Sequence, residues 1–159
     1  MLIRPDFNLK DIYEIDLQEL KAQGIKAIFF DLDSTIMVSK SGEYRQETQN
    51  WLEKVQNDFI VAVISNNKCV HYLEKVQSVS NFKIVGNANK PSTKAMRELL
   101  KEINIAPHEA VIVGDRPLTD ILAGKRLGAK TILVGSINAE NEDKPTQFVR
   151  WLERRFILD

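Results

Sequence analysis

The chain has 159 residues, 43% of them hydrophobic and 28% charged, with 22 basic and 22 acidic side chains and a net charge of zero. That length and composition suit a single soluble globular domain over residues 1–159 with a sizeable core, and the charge balance argues against bulk nucleic-acid binding, which needs a basic face. A lone cysteine, Cys69, excludes an intrachain disulfide and fits a reducing, cytoplasmic setting.

The opening Met1-Leu2-Ile3-Arg4-Pro5-Asp6 has no apolar core of signal-peptide length. No apolar run approaches the roughly 20 residues of a membrane span, so a protein that meets a membrane is expected to lie on it. Apolar runs predict strands at 27–31, 59–65, 82–86, 110–114 and 131–134. Between them, Trp51, Leu52 and Val55 form one helical stripe, and Ala95, Met96, Leu99, Leu100 and Ile103 form a clearer one. Pro91 suits the first turn of that second helix. Gly124 and Gly128 punctuate the helix after Asp120. Cys69 is expected to pack as a small residue, and His71 and His108, without partners at metal spacing, to be surface or packing residues. Residues 138–144 read as a polar loop. Phe148, Trp151, Leu152 and Phe156 then form a stripe that predicts a helix packed on the sheet; the arginines beside Trp151 and Phe156 also suit contact with anionic lipid. Strands alternating with helices imply βαβ units. The expected fold is α/β, a three-layer, doubly wound, Rossmann-like and mostly parallel sheet, with the site outside the carboxyl ends of the strands.

Those ends carry the chemistry. The first strand runs into Asp31 and Asp33, which start out on one strand face. Adjacent carboxylates repel unless a cation compensates, and Mg²⁺ takes hard oxygen ligands, so this strand tip is a candidate Mg²⁺ site. The second strand is followed by Ser65, Asn66 and Asn67, the next helix is preceded by Lys90, and the fourth strand is followed by Gly114, Asp115 and, five residues on, Asp120. Carboxylates for a cation, polar donors for phosphate oxygens and a lysine for an anion make up the inventory of a phosphoryl-transfer site. Taken singly, each group also fits a helix cap, a strand-to-helix turn or a solvated lysine.

Asp31-Leu32-Asp33-Ser34-Thr35, Ser65-Asn66, Lys90-Pro91 and Gly114-Asp115 with Asp120 resemble, in order, the four motifs of the haloacid-dehalogenase (HAD) superfamily of aspartate-nucleophile phosphatases, over about residues 27–134. The resemblance implies that Asp31 is the nucleophile and forms an aspartyl-phosphate. It implies that Asp33 is the acid and base, and that Ser65, Asn66 and Lys90 hold the phosphoryl group. Mg²⁺ would be bound by the Asp31 carboxylate, the Asp33 backbone carbonyl and Asp115, with Asp120 orienting the metal shell or Lys90. In that resemblance a carboxylate at Asp33 favours a phosphatase, with a phosphomutase as the second choice, over a dehalogenase or a P-type ATPase. About two dozen residues separate Thr35 from the second strand, and a similar gap separates Ser65 from Lys90. Neither gap holds the cap domain of many members, so the site is expected to be open to a large substrate, to a lipid head group at a membrane surface, or to closure by an oligomer partner.

With Pro5-Asp6, Ile12-Tyr13-Glu14-Ile15-Asp16 and Leu20-Lys21-Ala22-Gln23-Gly24-Ile25-Lys26 leading into the first motif, and Gly114-Asp115-Arg116-Pro117-Leu118-Thr119-Asp120-Ile121 forming the last, the chain is similar to the YqeG-like, phosphatidylglycerophosphate-phosphatase branch of the capless HAD enzymes. That resemblance implies phosphatidylglycerophosphate as substrate and a cytoplasmic or membrane-peripheral location. Ser34 departs from the branch, which usually carries Asn there, and tuning rather than loss is expected. The alternatives are a phosphatase of a soluble or protein-borne phosphate and a catalytically idle HAD-fold interaction module.

Overall fold

The computed structural model describes residues 2–137 and 144–157. Its strands are β1 (Phe7–Asn8), β2 (Ala27–Phe30), β3 (Ile60–Ile64), β4 (Lys83–Val85), β5 (Ala110–Gly114) and β6 (Lys130–Leu133). They form one sheet in the order β1-β6-β5-β2-β3-β4, parallel at every pairing. The helices are α1 (Leu17–Ala22), α2 (Gln46–Gln56), α3 (Val70–Ser78), α4 (Lys94–Ile103), α5 (Leu122–Leu127) and α6 (Lys144–Arg154). The sequence pattern predicted five of the strands and not β1. At two residues β1 is too short to show alternation, and it exists because its backbone pairs Phe7 with Ile132 and Asn8 with Leu133.

Each central strand divides its apolar run between two cores. Ile28 and Phe30 face a core shared with Leu52, Val55, Val63 and Val113. Ala27 and Phe29 face another, shared with Met96, Leu99, Leu100 and Ile112. A strand buried on both faces therefore needs an unbroken hydrophobic run. Phe29 and Phe30 are fully buried, and truncating either to alanine would cost about 3–5 kcal/mol.

The register sets the site. Phe30 lies opposite both Val63 and Val113, so β2, β3 and β5 end level and the residues that follow them meet. From β2 the chain steps to β3 and β4 on one side, then returns to place β5 on the other side. β2 is thus the topological switch point, where such sheets leave a crevice. The segment after β2 folds back through an Asp33–Met37 bridge and buries Ile36 and Met37 in the first core. It forms a short flap, and no cap-sized insertion follows β2 or β3.

Three expectations are corrected. Cys69 is exposed rather than packed, because α3 starts at Val70 and turns Val76, not its first residues, inward. Pro91 lies ahead of α4, which begins at Lys94; the Lys90 backbone is held by the Asn66 side chain, so a turn intervenes. The C-terminal helix does not bury its apolar stripe: Phe148, Trp151 and Leu152 are exposed. Its inward side chains are Arg150 and Glu153, three apart, anchored by ion pairs of Arg150 with Asp115 and of Glu153 with Arg116. Ionic contact thus decides which way α6 faces. Of the loop expected at 138–144, residues 138–143 lie outside the described residues, and Lys144 opens α6. His71 and His108 are exposed, as expected. No helix among the described residues is long and apolar enough to cross a membrane.

Ser34 is buried with φ 71°, in the left-handed region, and its amide donates to the Met37 carbonyl. Serine carries the full steric cost there and asparagine less. Ser34→Asn is therefore expected to stabilise the fold by up to about 1 kcal/mol, measured as a higher urea midpoint with an unchanged slope; a lower midpoint would refute this account.

Candidate active site

The four groups predicted to share a site do so. Asp31 leaves the end of β2, its amide still donating to the Val113 carbonyl of β5 at 2.9 Å. Lys90 is buried, and its Nζ donates to Asp31 Oδ1 at 2.9 Å and to Asp120 Oδ1 at 2.6 Å. Asp120 lies in a single π-helical turn, Pro117–Ile121, a distortion common at functional sites. Its other oxygen accepts the Arg116 amide at 3.1 Å. That fold-back requires Gly114, since a Cβ there would sit 2.2 Å from Asp120 Oδ2. Asp115 Oδ1 accepts from the Thr35 hydroxyl at 3.2 Å, while its buried Oδ2 pairs with the guanidinium of Arg150.

Other predicted site residues take narrower places. The Asn66 amide clamps the Lys90 backbone, accepting from its N–H at 2.7 Å and donating to its carbonyl at 3.1 Å. Asn66 thus fixes where the ammonium starts. Ser65 is buried, and its hydroxyl accepts from the Asn67 amide at 3.1 Å. The Asp33 carboxylate accepts from the Tyr72 hydroxyl at 2.7 Å and the Lys40 amide at 3.1 Å. It opens, with Asp31, Ser65 and Asn66, onto a cleft of about 480 Å³ also lined by Arg116 and Arg150. That volume admits a small ligand or a head group. A smaller cleft of about 290 Å³ beside Tyr44 and Phe82 contains none of these groups.

Asp31, Asp115 and Asp120 bring one oxygen each within 4.8 Å of one another. Burial and then Asp31 push Asp115 up to about 6, against the pull of Arg150. The same two causes push Asp120 up to about 7, against Lys90. Burial disfavours the Lys90 ammonium, but Asp120 and Asp31 outweigh it and raise its pKa. Three carboxylates thus face one ammonium and one guanidinium, a centre one positive charge short. A hard divalent cation fits that deficit and this all-oxygen donor set of Asp31, Asp115 and Asp120.

The HAD-hydrolase-like family model matches residues 87–152, which contain Lys90, Asp115, Asp120 and most of α6. Over 96% of its length the chain is 29% identical to a Bacillus subtilis protein named "Probable phosphatase YqeG", of which it covers 88%. It is 28% identical, over 95% of its length, to phosphatidylglycerophosphate phosphatase 1, chloroplastic/mitochondrial, of Arabidopsis thaliana, and spans 46% of that longer protein. In sequence the chain is thus similar to HAD-like phosphatases. In fold, the chain matches a HAD family enzyme of Bacteroides thetaiotaomicron solved with magnesium and inorganic phosphate, with a TM-score of 0.56, 14% identity, and coverage of 79% of this chain and 100% of that one.

Several residues of the candidate site carry no signal, or only a weak one, in the sequence. Tyr72, which holds Asp33, lies in a helix whose pattern gives no hint of it. Thr35, whose hydroxyl donates to Asp115, has no signal of its own beyond its place in the first motif. Arg150 and Glu153 read as the polar face of a surface helix, although polar side chains three apart on the face opposite Phe148 and Trp151 were a signal that this face has polar partners.

Gly114→Ala is expected to displace Asp120 and with it Lys90, cutting phosphatase activity at least about 100-fold while far-UV circular dichroism stays native-like; near-normal activity would show that Asp120 does not need its present position. A second expectation concerns pH. Asp115 and Asp120 titrate higher folded than unfolded, so the folded state binds more protons between about pH 4 and 7 and loses stability as pH rises through that window. Lys90 titrates above it, and the lowered Asp6 and Glu109 below it. The melting temperature of metal-free protein should fall across the window, and Asp120→Asn should flatten the slope; an equally steep slope in the variant would refute the assignment.

Proposed function

We propose that this chain hydrolyses a phosphomonoester through an aspartyl-phosphate on Asp31, with Mg²⁺ as cofactor, and that its substrate is phosphatidylglycerophosphate. The observation that carries the reaction class is the placement of Asp31 at the switch point of the sheet, at the mouth of a cleft, with the Lys90 ammonium on its Oδ1. The Bacteroides structure with magnesium and phosphate and the two phosphatase relatives support the same reading.

In this mechanism an Asp31 oxygen attacks phosphorus as the bond to the leaving oxygen breaks. Asp33, protonated, gives its proton to that oxygen; as the carboxylate it then takes a proton from the water that attacks the same phosphorus. The Asp31–phosphorus bond breaks, releasing inorganic phosphate and restoring Asp31. Lys90 neutralises charge on the phosphoryl oxygens, while Asp120 and Asn66 hold it in place. Tyr72, whose pKa is raised by burial and by Asp33, keeps its proton and orients the Asp33 carboxyl. Asp31 and Asp115, with Asp120 behind them, would hold Mg²⁺, which supplies Lewis-acid neutralisation of the phosphoryl group.

The lipid substrate is supported by the Arabidopsis relative and by the absence of a cap-sized insertion after β2 or β3. The cleft takes the head group, and the acyl chains stay outside. A soluble or protein-borne phosphate is the rival. Asp31→Asn is expected to abolish Mg²⁺-dependent hydrolysis of an aryl phosphate, a loss of at least about 10³-fold, with the melting temperature retained. Phosphatidylglycerophosphate in mixed micelles should exceed soluble phosphomonoesters in kcat/KM; a soluble compound that exceeds it would transfer the assignment to the rival.

A further inference from the structure

Among the described residues, eight large hydrophobic side chains are exposed, and four of them, Phe148, Val149, Trp151 and Leu152, fall within five positions of α6. Phe148 stacks on Trp151 with ring centroids 5.8 Å apart, and the Arg155 guanidinium lies 4.3 Å from the Trp151 ring centre. Phe148, Trp151 and Arg155 thus form one outward stripe at i, i+3 and i+7. The opposite stripe already binds the body of the protein through Arg150 and Glu153, so this aromatic face is not what attaches α6 to the fold. The acid of α6, Glu153, is turned inward, and the exposed charges of the helix and the residue after it, Lys144, Arg154 and Arg155, are all cationic.

The face is continuous with the site. Val149 belongs both to the exposed patch and to the wall of the cleft, where Pro145, Thr146 and Arg150 join it. On the β3 side of the cleft, the loop that carries Asn66 and Asn67 continues into exposed Lys68 and Val70, the latter 67% exposed. The mouth is therefore flanked on both sides by exposed apolar and cationic residues.

We propose that the outward face of α6, with the Lys68–Val70 rim, docks on an anionic lipid surface and so presents the cleft to phosphate head groups. Aromatic side chains interleaved with cations suit the interface of an anionic bilayer. A second copy of the chain fits less well, since a two-fold interface would set this single-signed surface against itself. The inference rests on the phosphatase reading for what the cleft receives, whereas docking is read without turnover.

The experiment is co-sedimentation of the full chain with phosphatidylcholine vesicles, with and without phosphatidylglycerol. Binding is expected with the anionic vesicles and weakened by salt. The double variant Phe148→Glu, Trp151→Glu should bind at least about tenfold more weakly, with hydrolysis of a soluble aryl phosphate unchanged. No binding to either vesicle, equal binding to both, or undiminished binding by the double variant would overturn the proposal. So would a wild-type dimer in light scattering that the double variant dissolves, if vesicles are not bound; that outcome assigns the face to a second copy. Glu140, Glu142 and Asp143, which precede α6 in the sequence, make the comparison of anionic with neutral vesicles the deciding one. Aryl phosphate hydrolysis reports on the phosphatase reading separately: its absence would refute that reading and leave vesicle binding to decide this one.

Discussion

Lys90 holds the site together. Its buried ammonium touches Asp31 and Asp120, and the elements around it are arranged to keep it there: Asn66 pins its backbone, Gly114 leaves room for Asp120, and the π-helical turn aims Asp120 back at it. A buried ion pair is weak evidence for stability, but removing one partner leaves an uncompensated charge and costs roughly 3–5 kcal/mol. The cluster is better understood as an electrostatic preorganisation. Lys90 answers only part of the negative charge, which leaves the centre suited to a divalent cation and a phosphoryl group, the two charges that balance each other in phosphoryl transfer.

The sheet makes that cluster possible. Parallel pairing at one level brings the ends of β2, β3 and β5 together, and the reversal of direction at β2 opens the crevice between them. Because the connections after β2 and β3 are short, the crevice stays open. Its wall on the β5 side is α6, attached by ion pairs to Asp115 and Arg116. A helix held this way keeps its apolar side free, which a helix packed by hydrophobic contact could not do.

Much of this was legible from the residues. Uninterrupted apolar runs gave five strands of a doubly wound sheet, because strands buried on both faces cannot carry polar residues. Asp31, Ser65, Lys90 and Asp115 stood out because each follows or neighbours a strand end. What could not be read was anything set by a distant partner. β1 depends on β6 for its existence. Cys69 looked packed because its neighbours are apolar, yet α3 turns a later residue inward. The stripe Phe148, Trp151, Leu152 predicted burial by the usual amphipathic rule, and the rule failed because Arg150 and Glu153 had stronger partners in Asp115 and Arg116.

The sequence by itself determined the fold class and the order of the chemical groups along the chain, since hydrophobic periodicity and strand-end residues are local properties. Only the tertiary structure decided which side chain faces which: that Asn66 serves the Lys90 backbone, that Tyr72 and the Lys40 amide hold Asp33, and that α6 shows its aromatic side to the outside. Those outcomes depend on hydrogen bonds and ion pairs between residues separated by 7 to 39 positions, and such pairing is set by the folded geometry rather than by any local pattern.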